Sequence, residues 1–339
     1  MCGGPACAGG SSRKLASVPH RPTPQAPGRY DGDTMAHDFS NPLNLQSGAL
    51  QRPEGQFPVR PVPEYLADGD LLPAYADLKA ALGVPWVGVI TQAVAHYRPF
   101  FLQAWAQFSA NAKTAYFAHR CDHLRELALE QVQAHLPATP QRARLRAMGY
   151  SERELAQIAA TLDVFNAGNP AYLVLATAIK ESLCFGRRLG GTPASQQDLL
   201  PRAAVHPIGA VPVMVEPHHA GPDVLAVYGR IKATLNLPFV NSDYKAMARW
   251  PSYLQLAWGD LEPLVGHPAY NAARQQVHDA AVATVAQLPH AYTMRHAEAL
   301  AAGLSDEQAQ ELMRVISLFQ WLLSGLIVNV TQCRLALSS

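Results

Sequence analysis

The sequence predicts an all-α protein built from two tandem helical repeats. From Glu64 onward, apolar residues recur at helical spacing, as at Phe117, Leu124 and Val132. Runs of alternating β-branched residues are almost absent. The best strand candidate, residues 209–216, is flanked and interrupted by prolines, which favour an extended linker over a sheet strand. A repeated segment, described below, supplies the third observation.

The helical pattern is broken by few residues, among them Pro137, which ends the first long periodic stretch. Residues 1–63 differ, since they hold ten of the 27 prolines and show no sustained periodicity. We expect a low-complexity, extended N-terminal segment there with no core of its own. Met35 is an alternative start, so residues 1–34 are interpreted as a leader or an expression artefact. The periodic stretches predict helices over 100–136, 151–166, 170–186, 243–258, 270–288 and 305–331.

An internal repeat gives the organisation of the remaining chain. The segment 82–87 (Leu-Gly-Val-Pro-Trp-Val) recurs at 235–240 (Leu-Asn-Leu-Pro-Phe-Val), 153 residues later. Further matching residues follow in the same order along the two copies, and Gly149 corresponds to Gly303 at an offset of 154. We therefore predict a pseudo-twofold pair of copies with the active site in the cleft between them. The predicted boundaries are 64–190 for the first repeat, 191–224 for a linker and 225–339 for the second repeat.

Composition excludes several classes of protein. The 339 residues include 16% charged residues, and the formal net charge is +1, with no basic cluster of the kind that binds nucleic acid. No stretch of about 18 apolar residues is evident, which argues against a membrane span. An odd number of cysteines without a Cys-x-x-Cys motif argues against a disulfide framework and predicts a reducing, cytoplasmic location. The five are Cys2, Cys7, Cys121, Cys184 and Cys333.

Two positions combine a polar residue in one copy with an aliphatic residue in the other. Asp243 corresponds to Ile90, and Asn169 corresponds to Leu323. Burying a polar group in place of an aliphatic one is costly unless the group is satisfied or used. Asp243 and Asn169 come from opposite copies, so the cleft could bring them together. An ionised carboxylate there can take a proton from water, and the amide can hold that water or fix the carboxylate.

Helix capping offers an alternative reading of both residues. Asn169-Pro170 has the form of an N-cap with proline at the first helical position. Ser242-Asp243 has the form of an N-cap followed by an acid in the first turn, where the helix dipole would keep the carboxylate ionised. The two readings are compatible, because facing helix N-termini would also offer backbone N–H groups to a small carboxylate. Aromatic and aliphatic neighbours would complete a dry pocket: Trp86, Val89, Phe239, Phe319 and Leu323.

These residues resemble the cofactor-independent group I 2-haloacid dehalogenases over about residues 70–335. The matching pieces are Val84-Pro85-Trp86-Val87, Phe165-Asn166-Ala167-Gly168-Asn169-Pro170 with Tyr172-Leu173, Glu181-Ser182, and Ser242-Asp243 with Ala248 and Trp250-Pro251. The resemblance implies an all-helical pair of repeats in which Asp243, assisted by Asn169, activates a water. That water attacks the α-carbon directly, so halide leaves, no ester forms and configuration inverts. The resemblance also implies that the enzyme needs no metal or organic cofactor and that it forms homodimers.

The resemblance carries a selectivity hypothesis as well. Asn241 occupies a position that is small in members accepting both enantiomers, and a bulkier Asn goes with preference for D-2-haloacids. We therefore predict conversion of D-2-haloacids to L-2-hydroxyacids, with action on both enantiomers as the alternative. Asn241 could instead only cap a turn. Ser242 and helix-terminal amides are the predicted carboxylate ligands, and Val89 stands where some relatives place a larger aromatic residue.

Metal binding and a non-catalytic role compete with this prediction. His119, Cys121 and His123 have the spacing of a zinc site on one helix face, but no third ligand is evident, which favours a solvated face. Glu216, His218 and His219 could bind a metal, although a polar loop is the simpler reading. The remaining alternative is a helical module that binds a partner and has no catalytic activity.

Overall fold

The computed structural model describes residues 45–202 and 211–338. These residues form α-helices and short 3-10 turns with two isolated β-bridges and no strand, which confirms the all-α prediction for the described chain. The helices are α1 (Leu71–Leu82), α2 (Val89–Val94), α3 (Arg98–Ala112), α4 (Ala115–His135), α5 (Arg142–Ala147), α6 (Glu152–Phe185), α7 (Pro222–Thr234), α8 (Ser242–Met247), α9 (Pro251–Leu261), α10 (Pro268–Ala286), α11 (His296–Ala301) and α12 (Asp306–Ser338).

The helices recur in two matching series, α1–α6 and α7–α12. The first residues of α2 and α8 are 89 and 242, and those of α4 and α10 are 115 and 268, which is an offset of 153 in both cases. The first residues of α6 and α12, 152 and 306, are 154 apart. Helix order and spacing therefore follow the sequence repeat. The pseudo-twofold relation in space and the domain boundaries stay predictions.

Three of the predicted helix boundaries are wrong. The stretch 100–136 divides at Thr114, whose side chain caps α4 by accepting from the Phe117 N–H at 3.2 Å. The stretch 243–258 divides into α8 and α9, with Pro251 at the first position of α9. Conversely, 151–166 and 170–186 form the single helix α6, with Pro170 inside it. Proline in a helix interior costs about 3 kcal/mol, so the burial of α6 from Gly168 to Cys184 must outweigh that penalty.

Helices α6 and α12 form the most extensive helix pair and carry much of the core. Helix α12 is long and apolar enough to cross a membrane by length and composition. The sequence was expected to contain no such stretch. Of its most apolar 18-residue window, however, 89% is buried inside the protein. A core helix passes the same length-and-composition test, so the burial explains the apolar composition.

The described part of the N-terminal segment, residues 45–63, is extended and lies against the helices. Leu45 and Pro53 are buried, and Ser47 Oγ donates to Glu181 Oε2 at 3.1 Å. The buried Lys180 Nζ donates to Gln320 Oε1 at 2.6 Å, and the Ala49 carbonyl lies 3.4 Å from the same nitrogen. The expectations for residues 1–44 lie outside the described chain, and so do residues 209 and 210 of the strand candidate; residues 211–216 form no strand.

Candidate active site

A cavity lies between helices of the two series. The first series lines it with residues on or just before α2 and on α6, and the second series with residues just before and on α8 and on α12. The cavity brings together every residue that the sequence predicted for the site: Trp86, Val89, Asn169, Asn241, Ser242, Asp243, Phe319 and Leu323. Ile90, the counterpart of Asp243, also lines it, so both pairs of corresponding positions meet here.

Asp243 and Asn169 form the polar centre of this cavity. Asn169 Nδ2 donates to Asp243 Oδ1 at 2.8 Å, and the two residues are only 3% and 4% exposed. The sequence analysis predicted that the amide either holds the attacking water or fixes the carboxylate, and this direct hydrogen bond fixes the orientation of the carboxylate.

Burial controls the pKa of Asp243. Desolvation raises this pKa from 3.8 to about 6, while the hydrogen bonds from Asn169 and from the backbone of Asp243 itself act in the opposite direction. The helix dipole was expected to favour the ionised form; desolvation outweighs that effect on the pKa, although the carboxylate is still mostly ionised at pH 7. Helix α8 has only six residues, and its short dipole does not offset the loss of hydration.

The capping alternative fails for Asn169 and for the side chain of Asn241. Asn169 lies inside α6, well after the helix begins at Glu152. Asn241 occupies the N-cap position of α8 but makes no side-chain capping bond, and its buried Oδ1 has no hydrogen-bond partner within the described chain. Asp243 does lie in the first turn of α8, as the alternative predicted, but Ser242 is the first helical residue and not the N-cap, which is Asn241.

Close packing around Trp86 explains two glycines near the site. A Cβ on Gly168 would lie 2.4 Å from the Trp86 ring, so only glycine lets the indole reach α6. The Tyr172 hydroxyl donates to the Trp86 carbonyl at 2.7 Å and accepts from the Gly88 N–H at 2.8 Å. A Cβ on Gly88 would meet the Tyr172 ring at 2.8 Å. These contacts hold one wall of the cavity rigidly.

The sequence-based site list omitted some residues that line the cavity. Tyr172 could have been found, since it lies three positions after Asn169 on the same helix face. Leu322 and Leu326 share a face of α12 with Phe319 and Leu323 by the same spacing. The residues omitted are Gly88, Ile90, Tyr172, Leu322 and Leu326. Phe239, which was expected as an apolar neighbour, lines the cavity, and its ring centroid lies 5.8 Å from that of Phe319.

A larger cavity adjoins the first and shares Trp86, Val89, Phe239 and Ser242 with it. Residues of the extended segment 59–63, the following 3-10 turn and the linker segment 211–218 contribute to its walls. Lys245 lines this cavity and is held by Glu216, with Nζ 2.8 Å from Oε2. The larger cavity therefore forms a vestibule beside the Asp243 site with one cation at its wall.

The two metal candidates are not assembled in the structure. Cys121 is buried in the core, whereas His119 and His123 are exposed. Glu216 pairs with Lys245, and the adjacent rings of His218 and His219 lie 4.1 Å apart. Within residues 45–202 and 211–338, no group of three or more His, Cys, Asp or Glu side chains is placed to hold a metal ion.

Comparison with known proteins gives the family. The profile described as "Halocarboxylic acid dehydrogenase DehI" matches residues 85–244. An (R)-2-haloacid dehalogenase of Pseudomonas putida is 53% identical over 291 residues, which is 86% of this chain and 96% of the relative. The chain belongs to the DehI family of 2-haloacid dehalogenases. The family consists of enzymes, so the alternative of a non-catalytic interaction module is wrong.

Solved structures of related dehalogenases share the fold. A D-2-haloacid dehalogenase mutant in complex with D-2-CPA is 52% identical, with a TM-score of 0.82 over 84% of this chain and 98% of that one. A D-2-haloacid dehalogenase in complex with L-LA is also 52% identical, with a TM-score of 0.83 over 85% of this chain and 99% of that one. The DehI match includes Trp86, Asn169 and the 241–243 segment, whereas Phe319 and Leu323 lie beyond it.

Proposed function

We propose that this enzyme hydrolyses D-2-haloalkanoic acids to L-2-hydroxyacids and halide. The observation that carries the proposal is the buried Asp243–Asn169 pair at 2.8 Å in an otherwise largely apolar cavity. The relatives support the substrate class and its configuration, since one is an (R)-2-haloacid dehalogenase and another is described with D-2-CPA bound. Action on both enantiomers is the second candidate.

The proposed chemistry is a direct displacement by water. The Asp243 carboxylate takes a proton from a water molecule while the water oxygen bonds to the α-carbon. The carbon–halogen bond breaks as halide leaves with its electron pair, from the side opposite the new C–O bond, so configuration inverts. Asn169 holds the carboxylate by its Nδ2 hydrogen bond. No bond between Asp243 and substrate forms at any stage.

The surroundings of Asp243 suit it to this role. A carboxylate with a pKa of about 6 is a stronger base than one at 3.8, yet about 90% of it is ionised at pH 7. Apolar walls from Trp86, Phe239 and Phe319 accept the halogen and exclude bulk water. Ser242 lines both the cavity and the vestibule, so its hydroxyl can donate to the substrate carboxylate.

Halide release from each enantiomer of 2-chloropropionate, with chelator present, tests the function and its stereochemistry. We expect release from the D enantiomer with L-lactate as product, because only one face of the α-carbon reaches the water on Asp243. A single turnover in heavy-oxygen water should label the product and leave the protein unlabelled. Label in the Asp243 carboxylate would show an ester route, and equal turnover of both enantiomers would reject the D preference.

The pH dependence of kcat/KM should report the ionisation of Asp243. We expect kcat/KM to fall tenfold per pH unit below about pH 6 and to be level just above it, because only the ionised carboxylate accepts a proton. The substrate carboxylate stays ionised over this range, so it does not contribute to the fall in kcat/KM. Initial rates of halide release between pH 4 and 8 provide the measurement. A fall in kcat/KM with its midpoint near pH 4 would mean that burial does not raise the pKa of Asp243 during catalysis.

We also propose that the enzyme forms a homodimer, that it is cytoplasmic, and that it has no nucleic-acid or membrane partner. The homodimer rests on the family resemblance, and sedimentation of the purified enzyme would measure it. The reducing location is supported by Cys121, Cys184 and Cys333, which are buried and free of disulfide bonds.

A further inference from the structure

A separate cavity lies beside the catalytic one and has no role in the mechanism above. Its walls come from α10 and α12 and from the chain around the ends of α7 and of the Glu262–Leu264 turn, and include Tyr270, Asn271, Arg274, Trp321 and Gly325. Leu322 lines this cavity and the catalytic cavity. The two spaces are therefore neighbours across one side chain of α12.

Arg274 is the unusual residue of this cavity. The residue is only 8% exposed, and its Nη2 donates to the Trp321 carbonyl at 2.8 Å. Its Nε has no hydrogen-bond partner, and no carboxylate forms an ion pair with it, within the described residues. Burial lowers the pKa of the guanidinium, but an arginine side chain remains charged in proteins. The structure thus holds a buried cation that no described acidic side chain neutralises.

A second arginine adds to the positive charge. The Arg274 guanidinium lies 4.3 Å from the centre of the Trp321 ring, and the Arg52 guanidinium lies 5.9 Å from the same ring. Arg52 donates to the carbonyls of Pro53 and Asn236, and no ion pair involves it among the described residues. A guanidinium that lines a cavity with aromatic walls, with a second one against the same tryptophan ring, favours an anion that is small and weakly hydrated.

We propose that the Arg274 cavity binds a halide ion. The unpartnered Nε–H supplies a charge-assisted hydrogen bond, and the bound anion offsets the cost of burying the cation. Asn271 also lines the cavity, and its side-chain amide can contribute a second donor. The choice of halide rests on the proposed function, which releases halide in the adjacent cavity.

Gly325 provides a variant that blocks the site without removing the charge. A Cβ at this position would lie 3.3 Å from Arg274 Nε and 3.0 Å from the Tyr270 hydroxyl, in the space that the anion needs. Gly325→Ala also places a stronger helix former inside α12, which favours retention of the fold. Gly229→Ala is the matched control, because Gly229 also lies inside a helix but a Cβ there would meet nothing within 4 Å.

The experiment measures thermal unfolding against sodium bromide, with sodium gluconate keeping the ionic strength constant and no substrate present. We expect a saturable rise in Tm for the wild type and for Gly229→Ala. Gly325→Ala should weaken the apparent bromide affinity about tenfold or more, as for one lost charge-assisted hydrogen bond. Arg274→Met, which removes the charge and keeps an apolar side chain, should abolish the response.

The assignment is overturned if the wild type shows no saturable rise, or if both cavity variants respond like the wild type. Loss of the response in Gly229→Ala would also overturn it, since that variant leaves the cavity unchanged. A rise that depends on Gly325 with L-lactate but is absent with bromide would reject halide as the ligand. No step of this experiment requires turnover, so a failure of the proposed dehalogenase activity would be seen separately.

Discussion

Replacing Asp243 with Asn is expected to remove halide release and, at neutral pH, to make the folded enzyme more stable. The loss of activity should be about a thousandfold or more, because an amide cannot take the proton from the attacking water. The hydrogen bond from Asn169 survives, since the new side chain keeps an oxygen at Oδ1. The effect on rate therefore reports the base itself and not a collapsed cavity.

The gain in stability follows from the raised pKa of Asp243. Folding raises this pKa from 3.8 to about 6, so the folded state binds the proton more tightly than the unfolded state. The ionised carboxylate then costs the folded protein on the order of 3 kcal/mol above pH 6, at 1.36 kcal/mol per pKa unit. This cost falls as the pH drops from 6 to 4, and it vanishes at pH values below the pKa of both the folded and the unfolded state. Asp243→Asn should recover this free energy at pH 7 and little of it at pH 4.

Urea unfolding of the wild type and Asp243→Asn at both pH values measures the effect, alongside halide release at pH 7. Asp223→Asn is the matched control, because Asp223 also lies in the first turn of a helix, α7, but is exposed. That variant should keep full activity and lose only a few tenths of a kcal/mol from its helix dipole interaction. Halide release at the wild-type rate by Asp243→Asn would reject the base assignment. Equal stability changes at pH 4 and pH 7 would reject the raised pKa.

The sequence repeat predicted the helical architecture well because packing residues recur in both copies. The offset of 153–154 residues is the offset at which α2, α4 and α6 recur as α8, α10 and α12. Helix ends were less predictable. Pro170 ordinarily ends a helix, but burial of the surrounding segment keeps α6 continuous through it. Local preference was thus overridden by tertiary packing, which a single sequence does not display.

The eight predicted site residues all line one cavity, yet its electrostatics could not be predicted from the sequence. Position in a helix is visible in the sequence, so the first-turn dipole argument pointed to an ordinary, ionised Asp243. The depth of burial depends on α6 and α12, which lie far away along the chain, and it reverses the direction of the pKa change. The direct contact between Asn169 and Asp243 likewise needs the relative placement of the two helix series.

Asn241→Ala is expected to relax the preference for the D enantiomer. Asn241 is 4% exposed, lines the catalytic cavity and lies two residues before Asp243. Enantiomers of a 2-haloacid held by the carboxylate and the halogen differ in which side of the α-carbon carries the alkyl group. The Asn241 side chain would occupy the space that the alkyl group of the L enantiomer needs.

Turnover of L-2-chloropropionate relative to the D enantiomer should therefore rise about tenfold to a hundredfold in Asn241→Ala, the range that a few atoms of pocket volume supply. The fold should tolerate the change, because the Asn241 side chain does not cap α8 and its Oδ1 is buried without a partner among the described residues. Ser242→Ala serves as the comparison, since loss of a carboxylate donor should raise KM for both enantiomers and leave their ratio unchanged. Measured kcat/KM values for each enantiomer separate these effects. An unchanged ratio in Asn241→Ala, with D turnover intact, would place the selectivity in another wall of the cavity, where Val89 and Phe319 are candidates.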